Sequence, residues 1–495
     1  MAAAVIAGAV VLRFTATSGL WLDEALSVNI ASLPLTELVG ALRQDGHPPL
    51  YYGLLNLWMR LFGDGDLAVR SLSGVFAVLT LPLVGVLAHR RRGLVAGLAA
   101  MVVMAVMPFA TRYGTEARMY ALVMLLVAVG WLLVDRLLDD AAGPWSAVGL
   151  GVVAALLLYT HYWSFWILGV TGLALLLTAW RAQDHRRRIG ARRGALGLIG
   201  GGLAFVPWLP VLFDQLAHTG TPWGAPQRPT ASMVAVLFDL AGGPLSPETA
   251  AGVLVLTLIV ILGIAGVPDP PSRVILDLRT VPGMRTELGV VVAALTIGMV
   301  VTWIDGSTFA SRYAAFAVPA VAVAAGIGIS TAPSRTWRMA IGGLTVVTLG
   351  AASVLTVFDQ RTQGPAAAAA VSAQAEPGDV VIVCPDQLGP AFARELDADV
   401  RVMTYPDLSG PERVNWRDYA ERNTAADPRA IAETIVDGFE GTSVFVVWMG
   451  GYATYGSQCE QLRLELGQQG RYEPVLEAGL GRYFEPMWVD RFVIN

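Results

Sequence analysis

The chain has 495 residues, of which 55% are apolar and 15% are charged, and its mean hydropathy is +0.56. Globular proteins carry roughly 25% charged residues, so this composition excludes an ordinary soluble enzyme. The net charge of −5 hides a split, because residues 360–495 carry 11 Arg against 20 acidic residues while residues 1–359 carry 23 Arg against 19. No segment has the dense basic surface that binding to nucleic-acid phosphates requires, so nucleic-acid binding is excluded.

Apolar stretches close to the roughly 20 residues that a bilayer crossing requires occur eleven times. They predict a polytopic α-helical membrane protein with about 11 transmembrane helices. The predicted spans are 2–19, 67–88, 93–110, 119–138, 146–161, 164–181, 194–213, 250–267, 287–303, 313–330 and 339–358.

Arginine placement predicts the orientation of these spans. Four loops rich in arginine fall on one side if the span count is right, and cytoplasmic loops retain positive charge. These loops lie within 90–92, 181–193, 273–285 and 335–338. We therefore expect a multi-pass protein of the cell (plasma) membrane, with the loop at 20–66 and the C-terminal region outside the cytoplasm.

Residues 365–495 have a different character from the transmembrane domain predicted over 1–360. Buried strands are expected at 379–384, 400–405 and 443–449, and these alternate with helices. This order predicts an extracytoplasmic α/β domain with a largely parallel sheet. Its Cys384 and Cys459 either form a disulfide, since the domain is expected on the oxidising side of the membrane, or remain two buried thiols. The sequence leaves both possibilities open.

Polar residues gather at the predicted outer ends of several spans. Asp23 and Glu24 follow the first span in W-L-D-E, and His47 begins H-P-P-L-Y-Y. Three further outer segments supply Arg112, Glu116, Arg118 and Tyr120, then His161 and Tyr162, then Arg312 and Tyr313. Taken singly, the acids are also typical of helix caps or ion pairs, and the aromatic residues of an interfacial belt.

Five short motifs resemble those of the GT-C superfamily of membrane glycosyltransferases, both in their order and in the side of the membrane on which they are expected. They are W-x-D-E, H-P-P-L-Y-Y, R-Y-x-x-E-A-R-x-Y, T-H-Y and S-R-Y. Within this superfamily, the chain is most similar to the polyprenyl-phosphate-sugar-dependent branch, which includes protein O-mannosyltransferases, aminoarabinose transferases and actinobacterial mannosyl- and arabinosyltransferases. The resemblance covers about residues 1–330. It implies inverting transfer of a sugar, mannose ahead of arabinofuranose, from a polyprenyl-phosphate donor to a hydroxyl of a cell-envelope glycan, glycolipid or protein.

The resemblance also implies roles for the polar residues. Asp23 matches the acid of the first loop and is the expected general base, with Glu24 as its positioning partner or substitute. Arg312 and His47 are expected at the phosphate, because cations stabilise this leaving group. Relatives carry lysine where His47 stands, and histidine is only partly charged at neutral pH, so Arg312 is the stronger candidate.

Further substrate contacts are expected around these groups. Arg118 or Arg112 would add a guanidinium clamp on the phosphate. Glu116 would orient the acceptor, pair with Arg118, or hold a divalent cation together with Asp23; no other cofactor is implied. His161 and Tyr162 are candidates for sugar contact, and Tyr120 and Tyr313 join them as substrate-binding residues.

A lipid-linked donor needs a lateral path from the membrane. The amphipathic stretch 50–61 is expected to lie in the membrane interface, in contact with lipids, and to shape the entrance for the isoprenoid tail. The outer segment 214–249, which contains Trp223, would be either a mobile lid or an ordered connecting loop.

Two other functions fit parts of the sequence. A lipid-linked-sugar transporter or flippase would show internal repeats and charges at membrane depth, whereas here the polar residues lie at the outer ends of spans. A catalytically silent protein could use the C-terminal domain to bind cell-envelope components. The zinc-protease motif H-E-x-x-H does not occur, which argues against a membrane metalloprotease.

Overall fold

The computed structural model describes residues 2–139, 143–221, 224–244, 246–269, 273–277, 279, 282–439 and 441–494. Within these ranges the α-helices are α1 (Ala2–Leu12), α2 (Leu22–Ala31), α3 (Leu35–Asp45), α4 (Leu50–Phe62), α5 (Asp66–Val106), α6 (Pro108–Gly114), α7 (Tyr120–Asp139), α8 (Pro144–Thr160), α9 (Ser164–Arg181), α10 (His185–Phe205), α11 (Leu209–His218), α12 (Pro229–Leu240), α13 (Pro247–Ala265), α14 (Pro282–Ile304), α15 (Val318–Thr331), α16 (Arg335–Phe358), α17 (Gly364–Ser372), α18 (Gly389–Ala393), α19 (Tyr419–Ala425), α20 (Pro428–Gly438) and α21 (Gln458–Gln469). Short 3₁₀ helices occupy Val206–Trp208, Ser311–Ala317 and Asp386–Leu388.

In the described part of the chain, seven helices are long and apolar enough to cross a membrane, and four shorter helices are also apolar. Each predicted span overlaps a helix, and α5 covers 67–88 and most of 93–110. The span predicted over 2–19 is an α-helix only at Ala2–Leu12. Its helical geometry breaks at Arg92 and Gly93, where Gly93 has φ +79°, a conformation that favours glycine. The protein is therefore a multi-pass helical membrane protein, as the sequence predicts.

Helix α15 lies at the centre of the membrane region, and nearly all of it is buried. Its small residues let neighbouring backbones approach closely. A Cβ atom on Gly326 would lie 2.5 Å from Ala100 of α5, and one on Gly328 would lie 1.8 Å from the carbonyl oxygen of Ile259 of α13. Small residues at such crossings are typical of helices packed in membranes.

The amphipathic stretch 50–61 forms α4. Tyr51, Tyr52 and Leu55 are buried on one face, while Leu57 and Leu61 are exposed on the other. This arrangement fits a helix lying in the membrane interface, which remains a prediction.

The outer segment 214–249 contains the ordered helix α12 between α11 and α13. Helix α12 packs against the 3₁₀ turn Ser311–Ala317 and against α6, α13 and α14. Trp223, which the sequence places in this segment, lies outside the described residues. The packing favours an ordered connection, and movement as a lid remains a prediction.

Seven strands form two sheets in the described residues. They are β1 (Gly266–Asp269), β2 (Arg273–Leu276), β3 (Val380–Cys384), β4 (Arg401–Thr404), β5 (Ser443–Trp448), β6 (Gly470–Leu476) and β7 (Trp488–Ile494). Strands β1 and β2 pair as an antiparallel hairpin. The other five form a C-terminal sheet in the order β4-β3-β5-β7-β6.

This C-terminal sheet is mixed, which corrects the expectation of a largely parallel one. Strands β4, β3 and β5, which the sequence predicts, are parallel, whereas β7 and β6 are antiparallel. Strands β3 and β5 are buried along their whole length, so their apolar runs are easily recognised. Strand β6 is an edge strand with Pro474 and several partly or fully exposed positions, so its sequence gives a much weaker signal.

Both cysteines of the chain form one disulfide. Cys384 at the end of β3 and Cys459 in α21 have Cα atoms 5.6 Å apart and are bonded. This decides between the two states that the sequence left open. The bond joins residues 75 positions apart, and a loop of that length is expected to stabilise the fold by about 4 kcal/mol through the unfolded state.

The disulfide predicts a specific labelling result. Protein unfolded without reductant should react with no maleimide, and after reduction it should react with two equivalents, because the chain has two cysteines. Reduction should also lower the melting temperature. Maleimide labelling of two thiols before reduction would contradict the bond.

Candidate functional site

A cavity of about 330 Å³ lies where the segment 20–66, the start of α7 and the C-terminal domain meet. We call it the central cavity. Its membrane-region wall comprises Trp21, Leu22, Asp23, Leu26, Asp45, Gly46, His47, Arg118, Tyr120, Thr219, Gly220, Thr221, Arg312 and Tyr313. Its C-terminal wall comprises Gln387, Leu388, Trp416, Met449, Tyr452, Phe484 and Glu485.

Asp23 is the carboxylate of this cavity that faces two cations. It lies in the first turn of α2, a favourable place for an acid because of the helix dipole. Its Oδ2 lies 3.8 Å from Nε of Arg118 and 3.6 Å from Nη2 of Arg312. This oxygen is buried and accepts no hydrogen bond from the described residues, while the side chain as a whole stays 15% exposed on the cavity wall.

Glu24 points in another direction, because successive residues of an α-helix are about 100° apart. It is fully buried and does not line the cavity. Its carboxylate accepts two hydrogen bonds from Arg70, at 2.6 and 2.7 Å, and one from Arg361 at 3.3 Å. The backbone N–H of Ala117 donates a fourth bond at 3.0 Å.

These contacts keep Glu24 away from the cavity. A carboxylate that accepts four hydrogen bonds and is closed to solvent anchors α2, and its expected roles as positioning partner or substitute of Asp23 stay predictions. Burial favours the neutral acid, but the charges of Arg70 and Arg361 outweigh it and lower the pKa of Glu24 to about 2.

Arg118 is held by a chain of hydrogen bonds. Its Nη2 donates to Nε2 of His47 at 3.0 Å, and Nδ1 of His47 lies 2.9 Å from Oδ2 of Asp45. Arginine carries only donors, so Nε2 must be the unprotonated nitrogen and Nδ1 donates to Asp45. Nη1 of Arg118 also donates to Ser27 at 3.0 Å.

This chain places His47 between Asp45 and Arg118. With both ring nitrogens engaged, His47 orients Arg118, and its expected contact with a phosphate stays a prediction. Asp45, which sequence reasoning did not single out, completes the arrangement, and its position two residues before His47 was the available signal.

Arg312 and two tyrosines complete the membrane-region wall. The guanidinium of Arg312 lies 5.9 Å from the ring centre of Trp21 and 6.0 Å from that of Tyr313. The buried hydroxyl of Tyr120 has no hydrogen-bond partner among the described residues. The structure thus brings Asp23, Arg118 and Arg312 together beside the rings of Trp21 and Tyr313.

His161 and Tyr162 do not line the central cavity, and their expected contact with sugar stays a prediction. The buried ring of His161 packs against the rings of Tyr120 and Tyr313, with centres 5.7 and 5.3 Å away. Tyr162 instead donates a hydrogen bond to Gln215 and accepts one from the Trp208 indole. His161 packs against the tyrosines that line the cavity, and Tyr162 links the turn between α8 and α9 to α11.

Arg112 and Glu116 line a second cavity of about 320 Å³. They pair with each other at 3.2 Å, so the partner of Glu116 is Arg112 and not Arg118. Burial raises the pKa of Glu116 above its usual range. Trp21 and Arg312 line both cavities and lie between them.

The divalent-cation site expected from Asp23 and Glu116 gains no support from this arrangement, since the two acids face different cavities. In the part of the chain that the structure describes, no group of three or more His, Cys, Asp or Glu side chains is arranged to hold a metal ion.

The C-terminal wall of the central cavity was missed by sequence reasoning. Gln387 follows β3, Tyr452 follows β5, and Glu485 precedes β7. For Gln387 and Tyr452 the available signal was their place directly after a buried strand of a parallel sheet, where ligand sites are common. Glu485 gave no such signal, because β7 itself was not predicted.

Glu485 joins the C-terminal domain to α2. Its two carboxyl oxygens lie 3.0 and 3.2 Å from the backbone N–H of Leu22, next to Asp23. Its backbone bonds to Arg361 and Gln363, at 2.9 Å each. Burial, with smaller contributions from the charges of Asp23 and Glu24, raises the pKa of Glu485 to about 8.

The raised pKa of Glu485 predicts a pH dependence. The folded state binds this proton up to about pH 8, whereas the unfolded chain releases it near its usual pKa of 4.5, so stability should fall as pH rises between these values. Glu485→Gln keeps an acceptor for Leu22 and should remove this loss. Melting temperatures from pH 5 to 9 should therefore fall less in the variant than in the wild type, and parallel curves would contradict the assignment.

Comparison with known proteins is consistent with this architecture. The profile of the family described as dolichyl-phosphate-mannose-protein mannosyltransferase matches residues 46–212. That segment includes His47 and Arg118 but neither Asp23 nor Arg312. No curated protein sequence matches the chain.

Among solved structures, ArnT from Cupriavidus metallidurans in the apo state is similar over 99% of this chain and 97% of its own, with a TM-score of 0.63 and 12% identity. The same protein bound to undecaprenyl phosphate gives the same coverage and identity with a TM-score of 0.59. The Archaeoglobus fulgidus oligosaccharyltransferase in complex with Zn and sulfate covers 95% of this chain and 71% of its own, with a TM-score of 0.50 and 11% identity. At these identities the likeness establishes the fold alone, which this chain shares with ArnT over nearly its whole length.

Proposed function

We propose that the protein is an inverting glycosyltransferase that transfers a sugar from a polyprenyl-phosphate donor to an acceptor hydroxyl. The observation that carries this proposal is Oδ2 of Asp23 lying 3.8 Å from Arg118 and 3.6 Å from Arg312 on the wall of the central cavity. A base and two cations within one cavity are what this displacement requires. The fold shared with ArnT, which has been solved bound to undecaprenyl phosphate, supports the donor class.

Asp23, Arg312 and Arg118 have separate roles in this reaction. Asp23 accepts the proton of the acceptor hydroxyl as its oxygen bonds to the anomeric carbon. The bond from that carbon to the phosphate oxygen breaks on the opposite face, and polyprenyl phosphate leaves with the bonding pair. Arg312, supported by Arg118, stabilises the charge on the departing phosphate, because guanidinium groups bind phosphate oxygens well.

We further propose mannose as the transferred sugar, with arabinofuranose as the second candidate. The match of residues 46–212 to the mannosyltransferase family supports mannose. The acceptor is a cell-envelope glycan, glycolipid or protein. Arginine-rich loops on the side opposite the cavity support an extracytoplasmic site, and the disulfide supports an oxidising location for the C-terminal domain.

The test is transfer of radiolabel from polyprenyl-phosphate mannose and, in parallel, polyprenyl-phosphate arabinofuranose, into lipid, polymer and protein fractions of membranes. We expect transfer from one donor with wild-type protein and none with Asp23→Ala. The labelled fraction would identify the acceptor class. Equal labelling with wild type and Asp23→Ala, from both donors, would overturn the proposal and favour a binding or transport protein.

A further inference from the structure

The C-terminal wall of the central cavity is formed at the carboxyl ends of parallel strands. Gln387 lies three residues beyond β3, and Met449 and Tyr452 lie just beyond β5. In the order β4-β3-β5, the connection after β3 leads to β4 on one side of β3, and the chain then crosses to the other side of β3 to form β5. Open α/β sheets bind ligands at such a switch point, in the crevice outside the carboxyl ends of the strands.

Gln387 has an unusual position at this edge. It is 1% exposed, yet neither Oε1 nor Nε2 has a hydrogen-bond partner among the described residues. A buried primary amide without partners costs free energy, and it offers two donors and one acceptor to a ligand. Because Gln387 lines the central cavity, the ligand it can satisfy is one bound there.

Neighbouring residues hold this segment in place. Asp386 is buried and accepts hydrogen bonds from the hydroxyl groups of Tyr419 and Tyr455. Trp416 and Tyr452 add aromatic side chains to the same wall of the cavity. An amide that is both donor and acceptor, next to aromatic faces, matches the alternating hydroxyls and apolar face of a sugar ring.

We propose that Gln387 recognises sugar hydroxyl groups in the central cavity, so that the C-terminal domain determines which sugar the site accepts. The inference rests on the proposed function and deepens it. The sugar is either the one carried by the donor or the terminal one of the acceptor, which share this hydroxyl chemistry. Asp23, Arg118 and Arg312 on the opposite wall contact the reacting groups, and Gln387 provides selectivity.

The experiment compares Gln387→Ala and Gln387→Leu with wild type in detergent. The first arm measures binding of bare polyprenyl phosphate, polyprenyl-phosphate mannose and polyprenyl-phosphate arabinofuranose. The second arm measures KM for the acceptor fraction labelled in the transfer assay. Gln468→Ala, at an exposed position of α21, is the matched control. The melting temperature checks folding, and Gln387→Leu keeps the side-chain volume.

Loss of two neutral hydrogen bonds should weaken binding of the sugar-bearing lipid about tenfold while leaving bare polyprenyl phosphate unchanged. This result would assign the donor sugar. A similar rise in KM for the acceptor, with donor binding unchanged, would assign the acceptor sugar. If folded Gln387 variants match wild type in both arms, the inference is overturned. If the wild-type protein binds no polyprenyl phosphate, bare or glycosylated, the proposed function itself is overturned.

Discussion

Asp23→Asn is expected to lower kcat for sugar transfer by about 10²- to 10⁴-fold, the range typical for loss of a general base. The amide keeps the size of the side chain but cannot accept the proton of the acceptor hydroxyl. Binding of polyprenyl phosphate should survive, and it should tighten slightly because Asp23 no longer competes for the Arg312 and Arg118 cations, which lie 3.6 and 3.8 Å away. Initial-rate kinetics and lipid binding on the same preparation measure both effects.

The control for this prediction is Asp437→Asn, the same exchange at an exposed position of α20. It should leave kcat unchanged. If Asp23→Asn loses lipid binding together with activity, Asp23 would be a structural residue and not the base. If it retains full activity, the general base would have to be another group.

Glu24→Gln is expected to have the largest effect on stability, a loss of about 3–5 kcal/mol. The carboxylate is fully buried between Arg70 and Arg361, which are 3% and 1% exposed. A neutral amide would leave both cations without their counter-charge, and burying an uncompensated charge is costly. The melting temperature in detergent, measured at neutral pH, should fall strongly even though Glu24 never contacts the cavity.

The pH dependence of this effect has a defined sign. The folded pKa of Glu24 is about 2, below the usual 4.5, so its stabilising contribution is present above pH 4.5 and is lost as pH falls toward 2. Wild type should therefore lose stability over this range in a way that Glu24→Gln does not. Glu37→Gln, at an exposed position of α3, is the control and should leave the free energy of unfolding within about 0.5 kcal/mol of wild type. An equal melting temperature for Glu24→Gln and Glu37→Gln would show that the buried ion network does not stabilise the fold.

The sequence by itself determined the helical membrane architecture, since long apolar stretches have few other stable structures. It also determined that a sheet domain follows, because β3, β4 and β5 carry apolar runs recognisable without their neighbours. It singled out Asp23, Arg118 and Arg312, since the order and sidedness of short motifs placed them together.

Only the tertiary structure decided which of two adjacent acids faces the cavity. Asp23 and Glu24 are chemically alike in sequence, and their opposite roles depend on Arg70 and Arg361, which are 46 and 337 residues from Glu24. The same holds for His47, whose ring nitrogens contact Arg118, far away in the sequence, as well as Asp45. Burial and long-range hydrogen bonds set these properties, and a local pattern carries no information on either.

The tertiary structure also decided that the C-terminal domain belongs to the site. Gln387 and Glu485 come from segments that show no motif. They reach the central cavity because α18 packs against α2 and because Glu485 accepts hydrogen bonds from the backbone N–H of Leu22. Packing between distant segments depends on the complementarity of whole surfaces, so it was not predictable from either segment alone.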